Sequence, residues 1–299
     1  VIDRRRHPGG MAFRDWTARD GWRLRAFDWP AARPRGRLLF LGGRGDFVEK
    51  YLEALAHWHG AAWSVTGFDW RGQGGSGRIL PDPLANHLDA FDPLLDDLAA
   101  FVREWRNAPG PHVAVAHSMG AHLLLRALAE RGVTLDAVVL AAPMIGLRAG
   151  PLGTRTIAAL AFAAVAAGRG RRRVWEGDAG NVGGRMTSCA ERQADKLWWK
   201  ATTPAIASGA PTWGWTRAAC RSLAHVTPAA LGRIDTPALL LVSRRDPIVS
   251  APAVLRAARV LPRGEVQMWP GQGHELLREA DPIRLAVLAR IDAFLASAA

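Results

Sequence analysis

Short apolar runs and longer segments with helical periodicity alternate along most of the chain. Residues 37–41 form an apolar run closed by Gly42-Gly43, and residues 46–57 then carry apolar positions at helical spacing. The same pairing recurs as 62–68 followed, after a Gly-rich loop, by 86–106, and as 112–117 followed by 119–131. Residues 137–141 are a further apolar run. Beyond residue 226 the rhythm resumes with strand-like 238–242, helix-like 251–261, strand-like 265–269 and helix-like 282–295. Short strands alternating with longer helices predict an α/β fold with a mostly parallel sheet covered on both faces. Residues 22–29 alternate polar and apolar positions, which predicts an antiparallel hairpin at the N-terminal edge.

Residues 143–226 break this rhythm. They hold the longest apolar stretch, 157–167, the cluster Arg169-Gly170-Arg171-Arg172-Arg173, and the aromatic pieces Trp198-Trp199 and Trp213-Gly214-Trp215. A helical, aromatic-rich insertion between two sheet strands reads as a cap, so 1–142 and 227–299 are expected to form the core and 143–226 the cap. The stretch 157–167 is too short to cross a bilayer as a helix, which takes about 20 residues. No repeat with a period of 20–50 residues is visible.

Composition narrows the class. A length of 299 residues fits two domains, or one large α/β domain with an insertion. With 49% hydrophobic and 22% charged residues, a mostly disordered chain is excluded. Cys189 and Cys220 are too few for a disulfide framework, and no CxxC or Cys/His cluster suggests zinc. The net charge of +12 invites a nucleic-acid reading. However, all the basic residues but Lys50, Lys196 and Lys200 are Arg, spread along the whole chain. Such a bias often reflects genomic base composition, so no nucleic-acid partner is expected. Transient attraction to an anionic membrane surface fits better. The basic start, Val1-Ile2-Asp3-Arg4-Arg5-Arg6, is not followed by a signal-peptide core, which leads to the expectation of a soluble, cytoplasmic protein, peripheral to the membrane at most.

The strongest local chemistry is Ala116-His117-Ser118-Met119-Gly120-Ala121, at a strand–helix junction. A sharp corner there needs small residues two before and two after its apex, and the apex then projects above the sheet beside the helix amino end. Ser118 is that apex, with Ala116 where Gly is usual. A serine hydroxyl needs a base, and the base an orienting carboxylate. His274 follows the 265–269 strand and Asp246 follows the 238–242 strand, so all three fall at carboxyl ends of strands, where open α/β sheets place ligands. Their order, Ser118, Asp246, His274, is the one found where a serine at a strand–helix corner of an α/β sheet works with an acid and a histidine. A lone Ser at such a junction is often a helix cap, and Asp246 alone could cap the turn into Pro247. The agreement of three positions favours catalysis. His117 is expected to be structural. His57, His59, His87, His112, His122 and His225 lack a strand-end setting and read as surface or core residues.

A developing oxyanion needs preorganised backbone donors. Met119 supplies one amide at the helix start. Gly42-Gly43-Arg44-Gly45 gives its backbone freedom to turn a second amide inward, with Arg44 as the expected donor.

These features resemble the α/β-hydrolase superfamily and, more narrowly, its monoacylglycerol lipase and lysophospholipase (serine aminopeptidase S33-like) branch. The resemblance covers about residues 12–296. It is carried by Gly43-Arg44-Gly45-Asp46-Phe47-Val48-Glu49-Lys50-Tyr51, Phe68-Asp69-Trp70-Arg71-Gly72-Gln73-Gly74-Gly75-Ser76-Gly77, the Ser118 elbow, Pro211-Thr212-Trp213-Gly214-Trp215, Asp246-Pro247-Ile248-Val249 and Gly273-His274-Glu275. It implies a serine nucleophile, acid and histidine as assigned, with no cofactor or metal. Two departures concern substrate identity: Gly42 stands where monoacylglycerol lipases usually carry His, and Ala116 opens the elbow. Within the 69–76 loop, Asp69 and Arg71 are expected to brace rather than react. The leading expectation is an esterase for monoacyl lipids, with the 169–173 cluster meeting phosphate headgroups or an anionic membrane. The alternatives are short-chain ester, amide or peptide hydrolysis at the same triad, or a degenerate member that only binds an apolar ligand.

Overall fold

A computed structural model describes residues 2–149, 152–176 and 186–298; positions 150–151 and 177–185 of the expected insertion lie outside the described residues. The framework is an eight-stranded sheet, in spatial order β1 (Ala12–Thr17), β2 (Arg23–Trp29), β4 (Trp63–Phe68), β3 (Gly36–Leu41), β5 (His112–His117), β6 (Ala137–Ala141), β9 (Ala238–Ser243) and β10 (Gly264–Trp269). Only β2 runs against the others, pairing antiparallel with β1 and β4. From β4 through β10 all pairs are parallel. Strands β4, β5, β6 and β9 are buried at every position, as both faces are covered.

Because alternate side chains leave opposite faces of a strand, the central strands feed two cores. Leu39, Leu41, Ala114, Ala116, Val138, Leu140 and Leu240 pack with α2 (Asp92–Trp105), α3 (Met119–Glu130) and α8 (Ala251–Ala258). Their neighbours Leu38, Phe40, Val113, Val115, Val139, Leu239 and Leu241 pack with α1 (Leu52–Gly60) and α9 (Asp281–Ala298).

Two predicted helices begin later than periodicity suggested. The 46–57 segment is a 3-10 turn, Val48–Tyr51, followed by α1. Asp46 stays outside the helix, its carboxylate accepting the Gly43 N–H (2.6 Å) and the Tyr51 hydroxyl (2.8 Å). The 86–106 segment becomes α2 only from Asp92. Asn86 instead pairs with the distant 210–212 strip, Asn86 N–H to Ala210 O at 3.0 Å and Thr212 N–H to Asn86 O at 2.9 Å. Neither long-range partner is visible to a local pattern.

Between β6 and β9 lie the short pair β7 (Arg148–Ala149) and β8 (Leu152–Gly153), then α4 (Thr154–Ala166), α5 (Ala190–Thr202) and α6 (Trp213–Leu223). A four-residue helix, α7 (Pro228–Leu231), leads back to the sheet. In α6, Trp215, Ala218 and Ala219 join the core beside α2 and α3. The anchor of α5 is polar: the buried Arg192 reaches Glu53, Asp281 and the carbonyl of Glu279. Among the described residues, no helix is long and apolar enough to cross a membrane.

Candidate active site

The corner between β5 and α3 is built around Ser118, whose backbone sits at φ +51°, ψ −112°, a region that non-glycine residues rarely adopt. Neighbouring strands hold it there. Ser118 N–H donates to Ala141 O (2.9 Å), and Ser118 O accepts from Met144 N–H (3.1 Å). Gly120 is compulsory: a Cβ on it would lie 2.4 Å from Gly42 O and 2.8 Å from Leu41 O. Ala116 is ordinary strand backbone paired with Leu41 and Leu140, so its methyl is accommodated where Gly is usual.

The three residues selected by strand-end position are brought together. His274 Nε2 lies 3.0 Å from Ser118 Oγ, and His274 Nδ1 lies 2.6 Å from Asp246 Oδ2. All three are buried. Asp246 Oδ1 accepts the N–H groups of Ile248 (2.8 Å) and Val249 (2.9 Å), so one carboxylate oxygen is locked by its own loop and the other faces the imidazole. These partners assign the His274 proton to Nδ1, leaving Nε2 to accept from the serine hydroxyl. Burial opposes ionisation of both groups. The mutual charge and hydrogen bond outweigh it, holding the Asp246 carboxyl below its ordinary range and the His274 imidazole above its own. Such an arrangement polarises an alcohol and stores its proton.

The loop after β3 closes on the elbow. A Cβ on Gly43 would come 3.1 Å from Ser118 Cβ and 3.0 Å from His117 Nδ1. Trp70 Nε1–H donates to Gly42 O at 2.7 Å, and Gly45 N–H donates to Gln73 Oε1. The Arg44 guanidinium donates to Gly209 O (3.0 Å) over the Trp215 ring. Met119 is the buried first residue of α3. Asp69 accepts from Gly75 N–H (2.7 Å), Val48 N–H (3.0 Å) and Arg25, while Arg71 pairs with Asp97 and Asp20. Both residues brace the 69–76 loop and neither belongs to the serine–histidine–aspartate row.

His117, expected to be structural, packs directly beside His274. Its ring lies 4.8 Å from that of His274, and its Nδ1 faces Tyr51 Oη (3.0 Å) and Asp46 Oδ2 (3.2 Å). Beside it, Lys50 bridges Asp46 and Glu275. Sequence reasoning placed Asp46, Lys50, Tyr51 and Glu275 in motifs that mark the resemblance but gave them no role. The visible signals were an Asp/Lys pair four residues apart directly after the glycine loop, and a carboxylate adjoining the strand-end histidine.

A mostly parallel sheet, a strained serine corner and a histidine and aspartate on the loops after the last two strands define an α/β-hydrolase. Solved structures agree in fold. Monoglyceride lipase from Saccharomyces cerevisiae matches with a TM-score of 0.78 at 17% identity, over 100% of this chain and 99% of that one. A carboxyl esterase from Bacillus coagulans matches with a TM-score of 0.74 at 17% identity, over 97% and 99%. Residues 32–281 match the model of the family described as serine aminopeptidase, S33, and the chain belongs to that family. Lysophospholipase L2 of Escherichia coli K12 is 33% identical over 273 residues, 84% of this chain and 78% of its own length.

Proposed function

We propose that this chain is a carboxylic-ester hydrolase acting on monoacyl lipids, a lysophospholipase or monoacylglycerol lipase. Ser118 is the nucleophile, His274 the general base and Asp246 its orienting acid. The continuous row Ser118–His274–Asp246, at 3.0 and 2.6 Å, is the observation that carries the reading. As Ser118 Oγ attacks the ester carbonyl, its proton passes to His274 Nε2, and Asp246 stabilises the imidazolium. The backbone amides of Met119 and Arg44 receive the oxyanion. His274 then protonates the leaving alcohol, an acyl-Ser118 remains, and water deprotonated by His274 releases the fatty acid. The choice of a monoacyl lipid rests on the identity with a lysophospholipase.

Residues 143–226 serve as the cap. Arg148 N–H donates to Ile248 O (2.7 Å) in the loop that carries Asp246, and Gly209 O receives Arg44. The insertion therefore touches the site on two sides. Within it, α4 is apolar, yet only Ala161 is buried; Leu160 is 49% and Phe162 47% exposed. Arg155, Arg169, Arg171 and Arg172 are exposed nearby in the chain. An apolar helix flanked by cations suits transient contact with an anionic membrane surface. The bland reading of a charge run is a solvated face, so charge reversal at 169, 171 and 172 is decisive. The parent should bind anionic vesicles more tightly than the variant, and equal binding removes the membrane from the proposal.

The test of the reaction is turnover of lysophosphatidylcholine, monoacylglycerol and p-nitrophenyl esters of graded chain length, with Ser118→Ala as the blank. Long monoacyl substrates should lead, and Ser118→Ala should lose on the order of 10⁶-fold. Preference for short esters or amides would reassign the substrate class. Failure of a fluorophosphonate to label Ser118 would mark a degenerate, ligand-binding member.

A further inference from the structure

Three parts of the site come from distant stretches of chain: the 43–45 loop, the 117–118 elbow and the 274–275 turn. The first two contact one buried carboxylate, Asp46, and the third reaches it through Lys50. Its Oδ2 accepts the Gly43 N–H at 2.6 Å and the Tyr51 hydroxyl at 2.8 Å, and lies 3.2 Å from His117 Nδ1. Its Oδ1 takes the Lys50 ammonium, which also binds Glu275 Oε1 at 2.6 Å. Glu275 follows His274 and takes Arg278 on its other oxygen. The opposite ring nitrogen of His117 lies 3.4 Å from His274 O. Asp46, Tyr51, His117, His274, Glu275 and Arg278 are buried, and the Lys50 side chain is only 4% exposed. Burial would favour neutral carboxyls, but Lys50 and its neighbours hold Asp46 and Glu275 below the ordinary range, so both carboxylates stay ionised.

We propose that Asp46 is a positioning residue that fixes the direction of the Arg44 amide and, through Lys50, Glu275 and His117, locks the oxyanion loop in place relative to His274. This rests on the serine-hydrolase reading above. The argument is one of peptide planes. The amide before Arg44, at Gly43, is tied to Asp46, and the amide after it, at Gly45, is tied to Gln73. With the preceding and following planes pinned, the orientation of the middle amide follows. The complete lock depends on a full carboxylate. Both Asp46 oxygens receive donors, so an asparagine must turn its NH₂ toward either the Lys50 ammonium or the Gly43–Tyr51 pair. One side of the lock is lost in either case.

Asp46→Asn separates positioning from bulk structure when turnover is compared with affinity for a trifluoromethyl ketone, whose hemiketal with Ser118 carries the oxyanion. We expect kcat to fall about 10²-fold, the usual effect of losing one oxyanion donor, with KM changed by less than about threefold. The ketone's inhibition constant should weaken in parallel with kcat/KM, and affinity for the fatty-acid product should stay unchanged. Turnover lost with ketone affinity intact, or both intact, overturns the proposal. Should Asp46→Asn fail to fold, Lys50→Gln provides the second test. Lys50 depresses the His274 pKa, so its removal should shift the rise of kcat/KM with pH to higher pH and weaken the ketone. An unmoved profile with intact ketone affinity overturns the proposal equally. Wild-type protein without turnover, or turnover that survives Ser118→Ala, would instead refute the underlying serine-hydrolase reading.

Discussion

Replacing Gly120 by Ala adds one methyl at the tightest point between α3 and the end of β3. That carbon would lie 2.4 Å from Gly42 O, 2.8 Å from Leu41 O and 3.0 Å from Leu41 C, whereas ordinary contact begins at 3.4 Å. All three obstacles are backbone, so no side-chain rotation relieves them. The first turn of α3 and the β3 end must separate by about 1 Å. Overpacking of this kind costs about 1–3 kcal/mol of stability. The functional loss should be larger than that suggests, because the displaced segment leads directly into Gly43-Arg44 on one side and Ser118 on the other. A misplacement of about 1 Å costs roughly 10²-fold in rate. The assay is steady-state and burst kinetics on a p-nitrophenyl ester, with thermal melting followed by circular dichroism. Gly60→Ala is the control, since a Cβ there meets nothing within 4 Å. Gly120→Ala retaining wild-type kcat and melting temperature would refute the idea that close backbone packing sets the site.

Other outcomes follow from the same structure. Because Asp246 raises the His274 pKa against burial, kcat/KM should rise with pH through a midpoint above the ordinary 6.5, where His274 becomes neutral. Asp246→Asn should lower that midpoint and cut kcat by about 10⁴-fold, and a pH–rate profile of both proteins checks this. Asp46 and Glu275 ionise below their ordinary range in the fold, so their contribution to stability is complete above about pH 5 and is lost as pH falls toward their folded values. Urea midpoints measured against pH should show that loss, and Lys50→Gln should move its onset upward. Arg192→Met strips α5 of its ties to Glu53, Asp281 and Glu279 O. Asp281 is 60% exposed and both carboxylates keep Arg284, so the loss should be about 1–3 kcal/mol, that of hydrogen-bonding groups left unsatisfied, and chemical denaturation of the variant should show a drop of that order.

Much of this architecture was legible before any coordinates. The central strand positions came from apolar runs, since a strand covered on both faces has no polar side to obscure it. Ser118, Asp246 and His274 were legible for a related reason. The parallel sheet delivers every strand to the same edge, so position after a strand predicts convergence. What local pattern could not supply was anything set by groups far apart in the chain. Asp46 left the predicted helix because Gly43 and Tyr51 claim its carboxylate, and residues 86–91 left theirs because Asn86 pairs with 210–212. Lys50 belongs in sequence to the motif that carries the family resemblance, with no partner visible. Only the tertiary structure buries it between Asp46 and Glu275. Local periodicity and strand ends determined the sheet and the serine–histidine–aspartate row, because both follow from backbone geometry repeated along the chain. The buried ion network was decided by folding alone, because a charge can be taken out of water only where distant partners arrive to meet it.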